Sequence, residues 1–315
     1  GIVYLQPKLY ALLTIRNWML DKLWSITCVS LAAQLATAPL SMLYFHQCHG
    51  NRSALNGSTL AGSCSKEQAQ VCMIGRPCYG NAMVKGVFFD LGGTLFHYEG
   101  ANRRIGSALM RAMTQLGAES TEHIGRAYGR ANQEVAKEYA ELDYYLHSDL
   151  FEETFRRAVR HLDLTFDDEV YGVFRDIQHR TIVEGLSLKE DCLATLGTLK
   201  DEGLYLSIVS NIDEDMLQPL VARESLQDFL NHWTSSEAAQ SCKPHERFFR
   251  LSLDLSGLQP SEVLFVGDSP EHDVTGAQAM GMQTALVRNG GLTAPLQSGK
   301  ETREPDHTID MLSEL

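Results

Sequence analysis

Three short apolar runs, each followed by polar residues, constrain most strongly what this chain can fold into. They are residues 87–89 (VFF), 204–209 (LYLSIV) and 263–266 (VLFV). Short apolar runs with glycine or polar residues at their ends are typical of buried strands. Strands that alternate with helices favour a parallel sheet in an α/β fold. Parallel strands carry ligand sites beyond their carboxyl ends, so we expect Asp90, Ser210 and Asp268 at one such edge.

Two further residues extend this pattern. Lys243 lies between the second and third runs and precedes a proline, and Asp273 follows Asp268 by five residues. Each residue alone is compatible with a purely structural role, as a lysine on the surface or as an aspartate that caps a helix or forms a turn. The order Asp90, Ser210, Lys243 and then an aspartate pair, with each member in a loop or at a strand end, instead indicates an active site.

In this order the motifs resemble those of the haloacid dehalogenase (HAD) superfamily. The matching segments are Asp90-Leu91-Gly92-Gly93-Thr94, Ser210-Asn211, Lys243-Pro244 and Gly267-Asp268-Ser269-Pro270-Glu271-His272-Asp273. The resemblance covers residues 84–315 and is closest to the branch with a helical cap inserted after the first motif. It implies an α/β fold with a Rossmann-like parallel-sheet core, residues 84–97 and 184–315, and a helical cap domain, residues 98–183.

The resemblance also implies a reaction: a Mg²⁺-dependent phosphatase of a small phosphorylated metabolite, working through an aspartyl-phosphate on Asp90. A carboxylate nucleophile divides one difficult hydrolysis into two easier steps. Attack of one anion on another needs cations, which Lys243 and Mg²⁺ would supply. The implied catalytic residues are Asp90, Ser210 and Lys243, with substrate contacts from Thr94 and Asn211. The implied Mg²⁺ ligands are Asp90, the backbone carbonyl of Gly92, and Asp268, with Asp273 in support.

One position departs from the family pattern. The phosphatases of the family carry a second aspartate two residues after the first, as general acid, and this chain has Gly92 there. General acid catalysis is typically worth ~10²–10⁴-fold. Four alternatives follow: a slow phosphatase, a proton supplied by His97 or a cap residue, a leaving group that needs no proton, or a weak or silent protein that binds a phosphoryl ligand in a regulatory role.

Two other chemistries of the superfamily are weaker alternatives. A 2-haloacid dehalogenase would use the same Asp90 but needs no metal, whereas Asp268 and Asp273 are what a Mg²⁺ site requires. A phosphonate hydrolase would need a Schiff-base lysine in the cap. The one candidate, Lys137, lies in a segment that reads as a charged helix face.

Charge divides the chain into two parts. Residues 1–83 hold six basic and two acidic residues, and the remainder holds 21 basic and 38 acidic residues, a net charge of −17. So acidic a catalytic part argues against a nucleic-acid-binding surface. Five of the seven cysteines fall in the first part, leaving Cys192 and Cys242 for the enzyme. Two cysteines require no disulfide framework and predict a cytoplasmic protein.

The first 83 residues contain a signal of their own. Leu23–Phe45 is mostly apolar and carries no charged residue, which makes it a candidate membrane span. Residues 30–47 resemble a piece of the competence DNA-uptake membrane channel family, and residues 48–82 read as linker. Because Met83 immediately precedes the first strand, we expect the native enzyme to start there. The alternative is a hydrolase anchored to the membrane through residues 23–45.

Overall fold

The computed structural model describes residues 83–290, 294 and 297–315. The predicted membrane span, the linker and the channel-like segment lie outside these residues, so they remain predictions. Within the described residues, no helix is both long and apolar enough to cross a bilayer.

A six-stranded sheet forms the centre of the fold, and all its strands are parallel. In chain order its strands are Gly86–Phe89 (β1), Tyr205–Ser210 (β4), His232–Ser235 (β5), Val263–Gly267 (β6), Gln283–Val287 (β7) and His307–Ile309 (β8). Across the sheet the strands lie in the order β5-β4-β1-β6-β7-β8. The three predicted apolar runs are therefore β1, β4 and β6, which are neighbours at the centre of the sheet.

Burial explains why these central strands are apolar along their whole length. Successive residues of a strand point to opposite faces, and here each face is covered by helices. Phe89 packs into a buried cluster on one face of the sheet, together with Val266. Phe88 packs into a second cluster on the other face, together with Phe265. A parallel sheet covered on both sides needs apolar residues at every position.

The helices that cover the sheet follow the strands in sequence. They are Cys192–Asp201 (α5), Glu214–Arg223 (α6), Ser236–Ala239 (α7), Glu246–Ser256 (α8) and Gly276–Ala279 (α9). A π-helical turn, Pro270–Thr275, precedes α9. This alternation of strands and helices is the predicted Rossmann-like α/β core.

Four longer helices form a separate layer between two short strands, Phe96–His97 (β2) and Ser187–Leu188 (β3), which pair antiparallel. The helices are Glu99–Gln115 (α1), Thr121–Tyr139 (α2), His147–His161 (α3) and Asp168–Gly185 (α4). We call them the helical layer. Side chains at helical spacing, among them Leu109, Met113 and Phe155, meet in its own buried cluster. The helical layer therefore has a buried core of its own.

Register brings the polar residues to one edge of the sheet. Phe89, the last residue of β1, pairs with Ile208 of β4 and Val266 of β6. Asp90 continues this register, and its backbone N–H donates to the Val266 carbonyl at 2.9 Å. The three central strands therefore end close together, and the residues that follow them share one site.

Candidate active site

Asp90 is held by two side chains that act on the same oxygen. The Ser210 hydroxyl donates to Asp90 Oδ1 at 2.9 Å, and Lys243 Nζ donates to the same atom at 2.7 Å. Among the described residues, no donor reaches Asp90 Oδ2. The carboxylate is thus oriented through one oxygen, and the other is left for a ligand.

Lys243 is a buried cation between two carboxylates. Its Nζ lies 2.7 Å from Asp273 Oδ1 as well as from Asp90, and the residue is 3% exposed. Burial lowers the pKa of Lys243, but the charges of Asp273 and Asp90 outweigh that effect and hold the pKa above its usual value. Lys243 therefore stays charged and offsets part of the negative charge in the site.

Asn211 contacts the backbone of Lys243. Its Oδ1 accepts the Lys243 N–H at 2.7 Å, and its Nδ2 donates to the Lys243 carbonyl at 3.0 Å. Both ends of the amide are used by this pair of bonds. The side chain of Asn211 therefore fixes the loop that carries the lysine, and the substrate contact expected of Asn211 from the resemblance stays a prediction.

Three carboxylates converge at the edge of the sheet. Oxygen atoms of Asp90, Asp268 and Asp273 lie within 4.8 Å of one another. Burial raises the pKa of Asp268 to about 8, with the charges of Asp90 and Asp273 adding to the shift. Burial likewise raises the pKa of Asp273 to about 6, although Lys243 opposes the shift. Lys243 alone cannot offset three carboxylates, and their oxygen atoms are a donor set that fits a hard divalent cation such as Mg²⁺.

The two aspartates of the last motif are held differently. Each oxygen of Asp273 already accepts a hydrogen bond, from Lys243 and from the Ser269 N–H at 2.9 Å. Asp268 Oδ2 accepts one bond, from Asn289 Nδ2 at 3.2 Å. Asp268 is therefore the better placed of the two to ligate a cation directly, and Asp273 to support the site.

A pair of residues that sequence analysis missed positions Asp268. Asn289 donates both to Asp268 and to the Gly93 carbonyl, and it accepts a bond from Lys189 Nζ at 2.9 Å. Lys189 is 7% exposed. A second buried cation therefore lies close to Asp90, Asp268 and Asp273, which we call the acidic cluster. The two residues stand 100 positions apart, and neither belongs to a motif, so no local pattern marks them.

The first motif closes tightly over the site. Gly93 has φ +77°, and a Cβ on it would overlap Asp268 Oδ2 and lie 2.6 Å from Asp268 Cγ. Only glycine fits both the left-handed backbone and this approach. The next residue, Thr94, is fully buried, and its hydroxyl has no hydrogen-bond partner within the described part of the chain. An unpartnered buried hydroxyl is costly unless a ligand satisfies it.

Gly92 faces a side chain from outside the motif. A Cβ on Gly92 would overlap the hydroxyl oxygen of Tyr98 and lie 2.7 Å from its Cζ. Burial raises the pKa of Tyr98 well above its usual value, and the charges of Asp268, Asp90 and Asp273 raise it further. His97, the alternative proton donor expected from the sequence, is exposed on β2.

Helix α3 of the helical layer contacts Asp213, three residues after Ser210. The N–H groups of His147 and Ser148, at the start of α3, donate to the two carboxylate oxygens of Asp213 at 2.7 and 2.8 Å. A buried carboxylate at a helix N-terminus is a favourable charge–dipole contact. The pKa of His147 is lowered to about 4 by burial, so its ring is neutral near pH 7.

Comparison with known proteins identifies the family of this chain. The family described as haloacid dehalogenase-like hydrolase matches residues 84–281. Ribulose-1,5-bisphosphate 5-phosphatase from Halopiger xanaduensis is 27% identical, over 74% of this chain and 98% of the relative. Glyceraldehyde 3-phosphate phosphatase from Methanopyrus kandleri is 26% identical, over 74% of this chain and 96% of the relative.

A solved structure aligns over the same part of the chain. L-2-haloacid dehalogenase from Xanthobacter autotrophicus superposes with a TM-score of 0.55 at 26% identity, covering 74% of this chain and 96% of that one. The family match spans β1, the helical layer and β6, with every residue of the acidic cluster. The chain therefore belongs to the haloacid dehalogenase-like hydrolases.

Proposed function

We propose that this hydrolase is a Mg²⁺-dependent phosphatase of small phosphorylated metabolites. The observation that carries the proposal is the cluster of Asp90, Asp268 and Asp273 around the buried Lys243. A dehalogenase has no need of so acidic a site, whereas phosphoryl transfer depends on cations held by carboxylates. The relatives named as phosphatases support the same choice.

The reaction would run in two steps at Asp90. Its carboxylate attacks phosphorus, the bond from phosphorus to the ester oxygen breaks, and the leaving alcohol takes a proton. Water then attacks the phosphorus of the aspartyl-phosphate, which releases inorganic phosphate and regenerates Asp90. Ser210 and Lys243 hold the carboxylate in place, and Thr94 donates to an oxygen of the phosphoryl group.

The Mg²⁺ would be held by Asp90, the backbone carbonyl of Gly92, and Asp268. Asp273 supports them by holding Lys243 and the Ser269 backbone. When bound, the ion offsets charge on the transferring phosphoryl group and helps to orient it. Asn211 positions the backbone of Lys243, and together with Thr94 it would contact the substrate.

The helical layer and the net charge of the catalytic part bear on what can reach the site. Residues 98–183 act as a cap that shields the site from water, over a core made of residues 84–97 and 184–315. The substrate is small, and the negative charge of the catalytic part disfavours nucleic acid as a partner.

A cytoplasmic location is supported by the free, buried thiols of Cys192 and Cys242. A span in residues 23–45 would instead anchor the enzyme to a membrane.

The test is phosphate release from a panel of phosphate esters, with Mg²⁺ or with EDTA. We expect turnover by the wild type only with Mg²⁺, and none by a folded Asp90→Asn variant. Asp254→Asn, an exposed aspartate on α8, is the matched control and should behave as wild type. Chloride release from 2-chloropropionate without metal would instead favour a dehalogenase. Phosphate binding without any turnover would favour a silent binding protein.

A further inference from the structure

Tyr98 fills the space beside Gly92. A Cβ on Gly92 would overlap the Tyr98 hydroxyl and lie 2.7 Å from its Cζ, and a Cβ on Gly93 would lie 2.9 Å from its Cε2. Real Cβ atoms do not approach other atoms so closely. The tyrosine ring and the glycine pair therefore depend on each other, because a side chain at position 92 would require Tyr98 to move.

The Tyr98 hydroxyl is also not used in a hydrogen bond within the described part of the chain. Ser210 and Lys243, the other donors at Asp90, already bond to its Oδ1. The Tyr98 hydroxyl makes no hydrogen bond to any residue that the structure describes, and a Cβ on Gly92 would overlap its oxygen. A polar O–H group without a partner among these residues thus occupies the place where a side chain at position 92 would begin, two residues after Asp90.

We propose that Tyr98 donates the proton to the leaving oxygen, in place of the side chain that Gly92 lacks. This inference rests on the proposed phosphatase function. As Asp90 bonds to phosphorus, the electron pair of the breaking ester bond passes to the leaving oxygen, which takes the hydroxyl proton of Tyr98. The resulting tyrosinate regains a proton from the water that later attacks the aspartyl-phosphate, so the cycle balances.

The decisive variant is Tyr98→Phe, which removes the hydroxyl and keeps the ring against the glycine turn. An alkyl phosphate such as phenethyl phosphate needs a proton on its leaving oxygen, whereas 4-nitrophenyl phosphate can release a stable anion. We expect kcat for the alkyl ester to fall by ~10²-fold or more, and kcat for the aryl ester to change little. Tyr171→Phe, which removes another buried tyrosine hydroxyl within the helical layer, is the matched control and should leave both rates unchanged.

Two results with an active wild type would overturn the inference. One is an equal fall in the kcat of Tyr98→Phe for both esters, which indicates a structural role. The other is an unchanged kcat for both esters. A selective loss on alkyl esters in His147→Gln, but not in Tyr98→Phe, would assign the proton to His147 instead. Failure of the phosphatase proposal looks different: the wild type hydrolyses neither ester, or Asp90→Asn remains active.

Stability gives a readout that does not depend on turnover. Gly92→Ala should lower the melting temperature because of the contact with Tyr98, and Tyr98→Ala should relieve that loss in the double variant. Gly106→Ala, at a helical glycine with open space around it, is the control and should not be destabilising. If Gly92→Ala is tolerated as well as Gly106→Ala, the tyrosine does not occupy this space and the inference fails.

An exchange of the two side chains completes the test. Gly92→Asp combined with Tyr98→Ala places a carboxylic acid where the tyrosine hydroxyl was. We expect this pair to hydrolyse the alkyl ester faster than Tyr98→Ala alone. Gly92→Asp with Tyr98 retained should instead be destabilised. Equal rates in a folded pair and in Tyr98→Ala would contradict the claim that position 92 and Tyr98 serve the same step.

Discussion

At the scale of single residues, the site depends on one buried cation. Lys243 bridges Asp90 and Asp273 at 2.7 Å each, and all three side chains are shielded from water. The opposite charges offset one another only while all three residues are present, because removing one partner leaves a buried charge unpaired. Lys243 thus ties the stability of the fold to the chemistry of the site.

Lys243→Met should therefore abolish turnover and also destabilise the protein. We expect the free energy of unfolding to fall by about 3–5 kcal/mol, the usual cost of breaking a buried ion pair. Urea denaturation followed by circular dichroism measures this. Lys137→Met, at an exposed position on α2, is the control and should change neither quantity. A Lys243→Met variant as stable as the wild type would show that the carboxylates do not need the lysine.

The motif residues were predictable from the sequence, and their supporting residues were not. Asp90, Ser210, Lys243 and Asp268 stand directly after strands or in short motifs, so the order along the chain identifies them. Lys189, Asn289 and Tyr98 reach the site only through folding. Tyr98 stands eight residues after Asp90, and nothing in the linear sequence reveals that its ring turns back onto Gly92.

At the scale of secondary-structure elements, the strands and the helical layer were both predictable, for different reasons. β1, β4 and β6 are buried on both faces, so their apolar runs are continuous. The helices of the layer bury only one face, which leaves a periodic stripe in the sequence. The contact of Asp213 with the start of α3 was not predictable, because the two stand 66 residues apart.

A histidine on the edge of β5 gives a prediction at this scale. His232 bonds through one ring nitrogen to the Tyr205 hydroxyl at 2.6 Å and through the other to the Ser207 hydroxyl at 2.7 Å. Burial lowers the pKa of His232 to about 4 from its ordinary 6.5. Between these two values the unfolded chain binds a proton at His232 and the folded protein does not. The contribution of His232 to the free energy of unfolding is therefore complete above pH 6.5 and is lost as the pH falls toward about 4.

The measurement compares wild type with His232→Gln between about pH 7 and about pH 4, the window set by the shifted pKa. Other groups titrate in this range, but the difference between the two proteins isolates the histidine. We expect the stability advantage of the wild type to shrink as the pH falls through this window. A difference that stays constant, or grows, as the solution is acidified would contradict the assignment of a neutral, buried imidazole at this strand edge.

At the scale of the whole molecule, Asp90 and Asp268 follow β1 and β6, so a metal ion bound between them would couple metal binding to folding. A ligand that binds only the folded state stabilises it by an amount that rises with the logarithm of the ligand concentration relative to Kd, about 2.7 kcal/mol at roughly 100 times Kd. We expect Mg²⁺ to raise the melting temperature of the wild type. Asp268→Asn should abolish this increase, whereas Asp254→Asn should keep it. An equal rise in all three proteins would mean that Mg²⁺ binds elsewhere.

Every step of the proposed reaction depends on Asp90 carrying the phosphoryl group during turnover, and that intermediate can be trapped. A substrate that the wild type hydrolyses is added with Mg²⁺, and the mixture is quenched with borohydride, which reduces an acyl phosphate to an alcohol. Mass spectrometry of the digested protein then locates the change. We expect homoserine at position 90, and only when substrate and Mg²⁺ are both present. Turnover with an unmodified Asp90, or with the modification at another carboxylate, would contradict the proposed mechanism.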